Sequence, residues 1–282
     1  MAKQPAAVIG VGQTHHRAKR EDVSMPGLLR EAIDRALLDA NMTLDDIDAI
    51  VVGKAPDLFE GVMMPELFLA EAIGAAGKPM LRVHTAGSVG GSTAIVASSL
   101  VQSGVHKRVL TVAYEKQSES NAMWALSIPV PFTMPVHAGA GGYFAPHVRS
   151  YIRRAEAPTH VGAIVAAKDR TNALKNPYAH LQEAKTVEQV LESQMLWDPI
   201  RYDETCPSSD GACALVIVDE DTARSSPNPA WIHGVAMRSE ATSAAGRDHV
   251  NPQAQRDAVA SLWSQAGITS PIDEIDAAEI YV

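Results

Sequence analysis

The sequence predicts an α/β protein built from two copies of one repeat. Short apolar runs that suit strands buried on both faces alternate with amphipathic runs that suit helices, a pattern typical of a parallel sheet covered by helices on both sides. A helix-to-strand connection near residue 40 recurs near residue 266, which indicates an internal duplication. With 282 residues, 46% of them apolar and 20% charged, the chain can form a large core, so disordered and fibrous classes are excluded.

The first copy alternates regularly. Residues 28–40 carry apolar side chains at helical spacing with charges on the opposite face, and Asn41 ends that helix. The predicted order is strand 7–12, helix 28–40, strand 47–52, helix 65–75, strand 80–84, helix 92–103 and strand 108–113.

The pattern changes after residue 120. Prolines and the Gly139–Gly142 cluster interrupt every period, and helices follow at 145–154 and 160–173, so residues 121–194 are predicted to be an insertion over the sheet and the active site. Alternation resumes with a strand at 211–218. We therefore expect residues 1–120, completed by 195–226, to form the N-terminal half, and 227–282 to begin the C-terminal half.

The second copy follows a Ser- and Pro-rich linker. The segment Ala266 to Ala277 mirrors Ala40 to Ala49, and a strand is predicted at 231–235. The copy stops at Ile280–Val282, inside an expected strand, so the second half is expected to be truncated.

Charge and cysteine content narrow the function classes. The net charge of −9 argues against a general nucleic-acid binder. Two cysteines, Cys206 and Cys213, provide neither a disulfide framework nor a zinc site, and no set of side chains has metal-ligand spacing. No signal peptide or membrane-spanning stretch is predicted, and a reducing, cytoplasmic setting is expected.

The turn from Val83 to Thr93 is the leading candidate site. Its glycines let backbone N–H groups face a ligand at the start of a helix, but no lysine follows them, so it is not a phosphate-binding P-loop. Ser88 sits as in the nucleophile elbow of some lipases. The alternative is that Ser88 and Ser92 only cap the helix.

The whole chain resembles the thiolase superfamily, in particular the sterol carrier protein x type and the actinobacterial thiolase-like lipid transfer proteins. The resemblance rests on the duplication, on the Val83–Thr93 turn, where thiolases carry their nucleophilic cysteine, and on the stretches Ala173–Ala179 and Asp203–Ala214. It implies duplicated halves in layered α/β/α/β/α packing and a homodimer formed through an edge strand of the N-terminal half.

The chain departs from that pattern at the nucleophile. Gly87 or Ser88 stands where the family has cysteine, and Tyr281 stands where the family has histidine. A serine lacks the low pKa and nucleophilicity of a thiolate. The resemblance therefore implies a retro-aldolase that cleaves a β-hydroxyacyl-CoA in steroid or lipid side-chain breakdown, with Tyr281 as a proton relay and a small OB-fold, zinc-ribbon protein as partner. The CoA thioester is a substrate, and no bound cofactor is expected.

Substrate contacts are predicted from position and charge. We expect His84, Gly90 and Gly91 to line the site, although a histidine at a strand flank is commonly a core residue. Cations concentrate in the insertion, where they could neutralise the phosphates of CoA or could simply form a solvated helix face. Besides Arg149 and Lys175, the four expected as CoA contacts are Arg153, Arg154, Lys168 and Arg170. Trp124 to Phe132 falls where the resemblance places an acyl-binding or interface loop.

Two other functions remain open at this point. One is an acyltransferase that uses Ser88 or a cysteine elsewhere. The other is a non-catalytic carrier of acyl-CoA or sterol.

Overall fold

The protein, seen in a computed structural model that describes residues 4–55, 57, 60–121, 139–240 and 247–281, is organised around a six-stranded sheet. Its strands, with the hairpin β5–β6, are β1 (Ala6–Gln13), β2 (Ala49–Gly53), β3 (Met80–Val83), β4 (Arg108–Lys116), β5 (Met195–Trp197), β6 (Ile200–Arg201), β7 (Asp210–Asp219) and β8 (Ala230–Trp231). The helices are α1 (Met25–Asp39), α2 (Glu66–Ala72), α3 (Val89–Gln102), α4 (Gly139–Arg154), α5 (Val161–Ala173), α6 (Val187–Glu192), α7 (Glu220–Arg224), α8 (Gln253–Ala266) and α9 (Pro271–Glu274).

The sheet is mixed. Its order is β3-β2-β4-β7-β1-β8; β2 runs parallel to β3 and β4, whereas β7 runs antiparallel to both β4 and β1. The expectation of a parallel sheet is therefore wrong for β7. The chain leaves β4 at the sheet's carboxyl edge and re-enters through β7 from that edge, so β7 must run the opposite way.

Helices cover both faces of the sheet, as the buried strands predict. Ile50 and Val52 of β2 pack in the cluster that contains α1, and Ala49 and Val51 pack in the cluster that contains α3. Alternate strand residues point to opposite faces, so one continuous apolar strand serves two layers.

The duplicated connection has the same local structure twice. Helix α1 is followed by Asn41 with φ 51°, and α8 is followed by Gly267 with φ 71°, so both helices end at a left-handed residue. Two residues later a threonine N–H and hydroxyl both donate to an acidic side chain: Thr43 to Asp46 at 2.8 and 2.9 Å, and Thr269 to Glu274 at 2.8 and 3.3 Å.

The second-copy strands are shorter than predicted. The strand expected at 231–235 is limited to β8, and at Val235 the backbone bonds the side-chain amide of Gln265. Residues 277–281 are not in a strand. The predicted loop from Trp124 to Phe132 lies outside the described residues, as does part of the expected insertion.

Candidate active site

The candidate site lies at the carboxyl edge of the parallel strands. Gly53, the last residue of β2, pairs with Val83 at the end of β3 and with Ala113 of β4. In α/β sheets, ligands bind outside this edge because loops from several strands converge there. The Val83–Thr93 turn leaves from this edge.

The turn is tight and carries one unusual backbone conformation. Ala86 has φ 49°, in the left-handed region that side chains other than glycine seldom occupy. A short 3₁₀ turn at Ala86–Ser88 leads directly into α3 at Val89, three residues earlier than predicted. Non-glycine residues held in this region concentrate at functional sites.

The hydroxyls of the turn form a small internal network. Ser88 Oγ donates to the Thr85 carbonyl at 2.9 Å, and Thr85 Oγ1 donates to Ser92 Oγ at 2.7 Å. Ser88 occupies the N-cap position of α3 as the alternative expects, but its side chain makes no capping hydrogen bond, and Ser92 lies inside the helix. Within the described part of the chain, no histidine or carboxylate bonds to Ser88, and therefore no base is in place to activate it there.

The turn is open on the side where a ligand would approach. Gly87, Gly90 and Gly91 are exposed, and a Cβ added to any of them would meet no atom within 4 Å. Among the described residues, no side chain accepts a hydrogen bond from the first backbone N–H groups of α3, so these groups can face an anion or a polarised carbonyl oxygen. His84 is exposed at the base of the turn and is not a core residue.

A buried ionic cluster lies directly beside the base of the turn. Lys54 is fully buried, and its Nζ lies 2.5 Å from Glu60 Oε2 and 3.5 Å from Glu115 Oε2. Glu115 Oε1 also accepts a hydrogen bond from the Ala55 N–H at 2.5 Å. The Lys54 N–H in turn donates to the Val83 carbonyl at 3.3 Å, which joins this cluster to the strand that ends in the turn.

Burial dominates the acid–base behaviour of this cluster. It raises the pKa of Glu115 to about 7, although Lys54 and the Ala55 N–H act in the opposite direction. Burial, with Glu60 and Glu115 nearby, also raises the pKa of Tyr114, whose hydroxyl donates to Met25 Sδ at 3.1 Å.

Tyr281 is the last described residue of the chain. Its side chain is 93% exposed, and within the described residues no hydrogen bond joins it to the turn. Desolvation by surrounding atoms and, to a lesser extent, the neighbouring Cys206 raise the pKa of its hydroxyl.

Three of the four insertion cations already have acidic partners. Arg154 pairs with Asp248 at 2.6 Å, Lys168 with Asp169 at 3.4 Å, and Arg170 with the buried Asp203 at 3.3 Å. Arg153 is exposed at the end of α4. Of these four, Arg153 is therefore the most accessible to a phosphate.

The sequence analysis missed the ionic cluster. Lys54 and Glu115 stand at the ends of strands whose other residues are almost all buried, where an unpaired charge would be costly. The sequence did contain a signal for the cluster, namely a charged residue that directly follows or lies within an otherwise apolar strand.

Among the described residues, no group of three or more acidic, histidine or cysteine side chains could hold a metal ion. None of the described helices combines the length and apolarity needed to cross a bilayer.

Comparison with protein families and known proteins gives two kinds of match. The family model for TsaD, tRNA N6-adenosine threonylcarbamoyltransferase, matches residues 27–125, which is less than half of the chain. Acetyl-CoA acetyltransferase of Methanothermobacter thermautotrophicus is 28% identical over 289 residues, covering 98% of this chain and 73% of the relative. Sterol carrier protein 2 of Gallus gallus is 24% identical over 234 residues, or 76% of this chain, and the match spans only 41% of that relative.

Solved structures share the fold. The Ltp2-ChsH2(DUF35) aldolase superposes with a TM-score of 0.77 at 25% identity, covering 94% of this chain and 70% of that one. A monomeric SCP2-thiolase like protein type 1 from Mycobacterium smegmatis has a TM-score of 0.75 at 21% identity, covering all of this chain and 61% of that one. Both matches extend well beyond residues 27–125. With its mixed α/β sheet and its open turn at the carboxyl edge, the chain is similar in sequence and fold to proteins of the thiolase superfamily, including its thiolase-like lipid-transfer members.

Proposed function

We propose that this chain performs carbon–carbon bond chemistry on an acyl-CoA thioester, and that the reaction is retro-aldol cleavage of a β-hydroxyacyl-CoA from steroid or lipid side-chain breakdown. One observation carries the proposal: the turn where thiolases hold their cysteine is open but has none, since Cys206 and Cys213 lie elsewhere. The similarity to the Ltp2-ChsH2(DUF35) aldolase supports the same choice.

The reaction needs no covalent intermediate. A base takes the proton of the β-hydroxyl, the Cα–Cβ bond breaks, and the electron pair moves to the thioester as an enolate, which is then protonated at Cα. The products are a ketone and a shorter acyl-CoA. Backbone N–H groups at Val89 to Gly91 would hold the enolate oxygen, and losing one such donor typically costs about 3 to 4 kcal/mol in transition-state stabilisation.

Tyr281 is proposed as the proton relay to the hydroxyl or carbonyl. A tyrosine hydroxyl can both donate and accept a proton. Cys206, which acts electrostatically on Tyr281, belongs to the Asp203–Ala214 stretch, one of the stretches on which the family resemblance rests.

Substrate and partner follow the same proposal. Arg153 is the first candidate for contact with a CoA phosphate. Arg154, Lys168 and Arg170 could contribute only by releasing their acidic partners.

The reaction is proposed to need no resident cofactor. A partner of the OB-fold, zinc-ribbon type is proposed by analogy with the DUF35 chain of the aldolase. The free thiols of Cys206 and Cys213 support a reducing, cytoplasmic setting.

The test is release of a ketone from a β-hydroxyacyl-CoA by the purified chain together with such a partner. Tyr281→Phe should abolish release, whereas Tyr202→Phe, a change at another exposed tyrosine, should leave it intact. Undiminished turnover in Tyr281→Phe would remove that role from Tyr281. If the wild-type pair releases no ketone, the retro-aldolase proposal itself fails.

An acyltransferase is the second candidate, supported by the acetyl-CoA acetyltransferase match and by the place of Ser88 at the start of α3. It predicts a covalent acyl group on Ser88, detectable by mass spectrometry after incubation with acyl-CoA. Binding of acyl-CoA with neither adduct nor ketone would instead favour a carrier.

A homodimer through β3 is proposed as well. This strand is at the edge of the sheet, and large apolar side chains are exposed on it and on the neighbouring segment 63–68: Met63, Met64, Leu67, Phe68 and Leu81. An open strand edge next to an apolar patch is a typical interaction surface.

A further inference from the structure

We propose that Met237 is a specificity-determining residue: it forms an apolar wall beside the Gly-rich turn (Val83–Thr93), and a bulky apolar group on the β-carbon of the substrate packs against that wall. The inference deepens the function proposed above and rests on it for the identity of the acyl group. The wall itself can be tested by binding alone, without turnover.

Met237 contacts the first turn of α3. Its Sδ accepts a hydrogen bond from Ser92 Oγ, 3.6 Å away, although 145 positions separate the two residues. Ser92 Oγ in turn accepts from Thr85 Oγ1 at 2.7 Å. The thioether therefore adjoins the hydroxyl network of the candidate site, while Met237 remains 52% exposed.

The segment that carries Met237 is tied to α8 on both sides of this residue. Before it, Gln265 Nε2 donates to the Val235 carbonyl at 3.0 Å. After it, Glu240 Oε1 accepts from the Gln253 N–H, the first of α8, at 3.3 Å. These two contacts fix the backbone that presents the thioether to α3.

Helical geometry places Met237 beside the open glycines. Successive residues of an α-helix are rotated by about 100° around its axis. Thr93 packs on Gly53 of the sheet, so Gly91 points away from the sheet and Ser92 lies between these two directions. Because Met237 contacts Ser92, it flanks the side of Gly91 where an added Cβ would meet no atom within 4 Å. A ligand held at the turn would have Met237 along one side.

The surface that Met237 offers to a ligand is apolar. The hydroxyl hydrogens of the turn beside it already have acceptors: Ser88 Oγ donates to the Thr85 carbonyl and Thr85 Oγ1 donates to Ser92 Oγ. Ser92 Oγ donates to the thioether itself. A polar substituent placed here would lose its water without gaining one of these donors, whereas an apolar substituent would gain by excluding water from the thioether.

Methionine suits a bulky substituent of irregular shape, because its side chain is unbranched, polarisable and adaptable. In the proposed reaction the thioester oxygen lies at the backbone N–H groups that begin α3, and Cβ is two bonds beyond the thioester carbon. Met237 then adjoins the substituents of Cβ, the carbon that leaves as the ketone. The chain thus favours β-hydroxyacyl-CoA substrates with a ring or a branched alkyl group on Cβ over short, linear ones.

The experiment is isothermal titration calorimetry of the intact chain with two CoA thioethers, which the reaction cannot cleave. S-propyl-CoA ends at the carbon that corresponds to Cβ, and S-(cyclohexylpropyl)-CoA carries a ring on that carbon. Because an apolar contact of this kind changes affinity by roughly 10- to 200-fold, we expect the wild type to bind the ring-bearing compound about tenfold or more tightly. Met237→Ala should remove most of this preference and leave the affinity for S-propyl-CoA unchanged.

Two further variants separate the side chain from a general effect on the protein. Met237→Leu keeps an apolar side chain of similar volume and should keep the preference. Met195→Ala removes a methionine that is 40% exposed on β5, and it should bind both compounds as the wild type does. In the ketone-release assay, Met237→Ala should raise KM for a ring-bearing substrate by a larger factor than it lowers kcat.

The proposal is overturned if the wild-type chain shows no preference for the ring-bearing compound or does not bind it. It is also overturned if Met237→Ala keeps the wild-type preference, or if Met195→Ala loses as much of it. A preference that depends on Met237 in a chain that releases no ketone would support the wall and count against the proposed retro-aldol reaction alone.

Discussion

The carboxylate of Asp210 accepts two hydrogen bonds from Ser118, one from its N–H at 2.9 Å and one from its hydroxyl at 2.7 Å. The same carboxylate accepts from the Arg20 N–H at 2.8 Å. Asp210 is fully buried at the start of β7, so one side chain fastens the segments that follow β1 and β4 to the strand between them.

Asp210→Ala should lower the free energy of unfolding by about 3 kcal/mol, because it leaves one buried donor, the Arg20 N–H, and two part-buried donors of Ser118 without their acceptor. Urea denaturation measures this loss. Asp221→Ala, at an exposed aspartate of α7, should change stability by less than about 0.5 kcal/mol. Equal effects of the two changes would contradict the anchoring role of Asp210.

Gly53 must be glycine because α3 packs directly on it. A Cβ at this position would collide with Thr93 Oγ1 and press on Ala113. Gly53→Ala should therefore destabilise the protein by roughly 1 to 3 kcal/mol. Gly90→Ala, where a Cβ meets open space in the first turn of α3, should leave thermal stability unchanged or slightly higher. A neutral Gly53→Ala would show that α3 can shift without cost.

The elevated pKa of Glu115 predicts a pH-dependent stability. The folded state holds this proton up to pH about 7, whereas an ordinary glutamate loses it near 4.5. The folded state thus binds more protons between these values, so the contribution to stability is complete below pH 4.5 and is lost as pH rises to 7. The loss attributable to Glu115 should approach roughly 3 kcal/mol.

Urea denaturation between pH 4.5 and pH 8 measures how the free energy of unfolding changes with pH. Glu115→Gln should make that free energy less dependent on pH. If the free energies of unfolding of wild type and Glu115→Gln differ by the same amount at every pH in that range, Glu115 does not titrate there.

The edge strand β3 should mediate self-association. Leu67→Glu places a charge in the apolar patch beside β3 and should convert a dimer to a monomer in analytical ultracentrifugation. Leu38→Glu is the control, since Leu38 is 81% exposed and lies on α1 rather than on β3 or the segment 63–68. A wild-type chain that sediments as a monomer would rule out the dimer.

Local patterns predicted the elements well because most of them depend on residues close in sequence. The helix predicted at 28–40 is α1 at 25–39, and the strand predicted at 80–84 is β3 at 80–83. The direction of β7 was not predictable in this way, because it depends on the edge at which a long connection returns.

The candidate site likewise has one part that depends on local sequence and one part that depends on distant residues. The Gly-rich turn is a local feature, so its place between a strand and a helix could be predicted. The contact of Lys54 with Glu115 joins residues 61 positions apart and exists only because β2 and β4 are neighbours. The sequence alone does not specify that neighbourhood.

The place of β7 in the sheet also has a consequence for synthesis on the ribosome. Thr14, just after β1, and Ala212 of β7 are hydrogen-bonded although 198 positions separate them. Ribosomes add about 5 to 20 residues per second, so β7 is synthesised roughly 10 to 40 seconds after β1, with which it pairs. During that interval an apolar strand with an open edge is exposed in the nascent chain, and this is the stage at which we expect the protein to depend on chaperones.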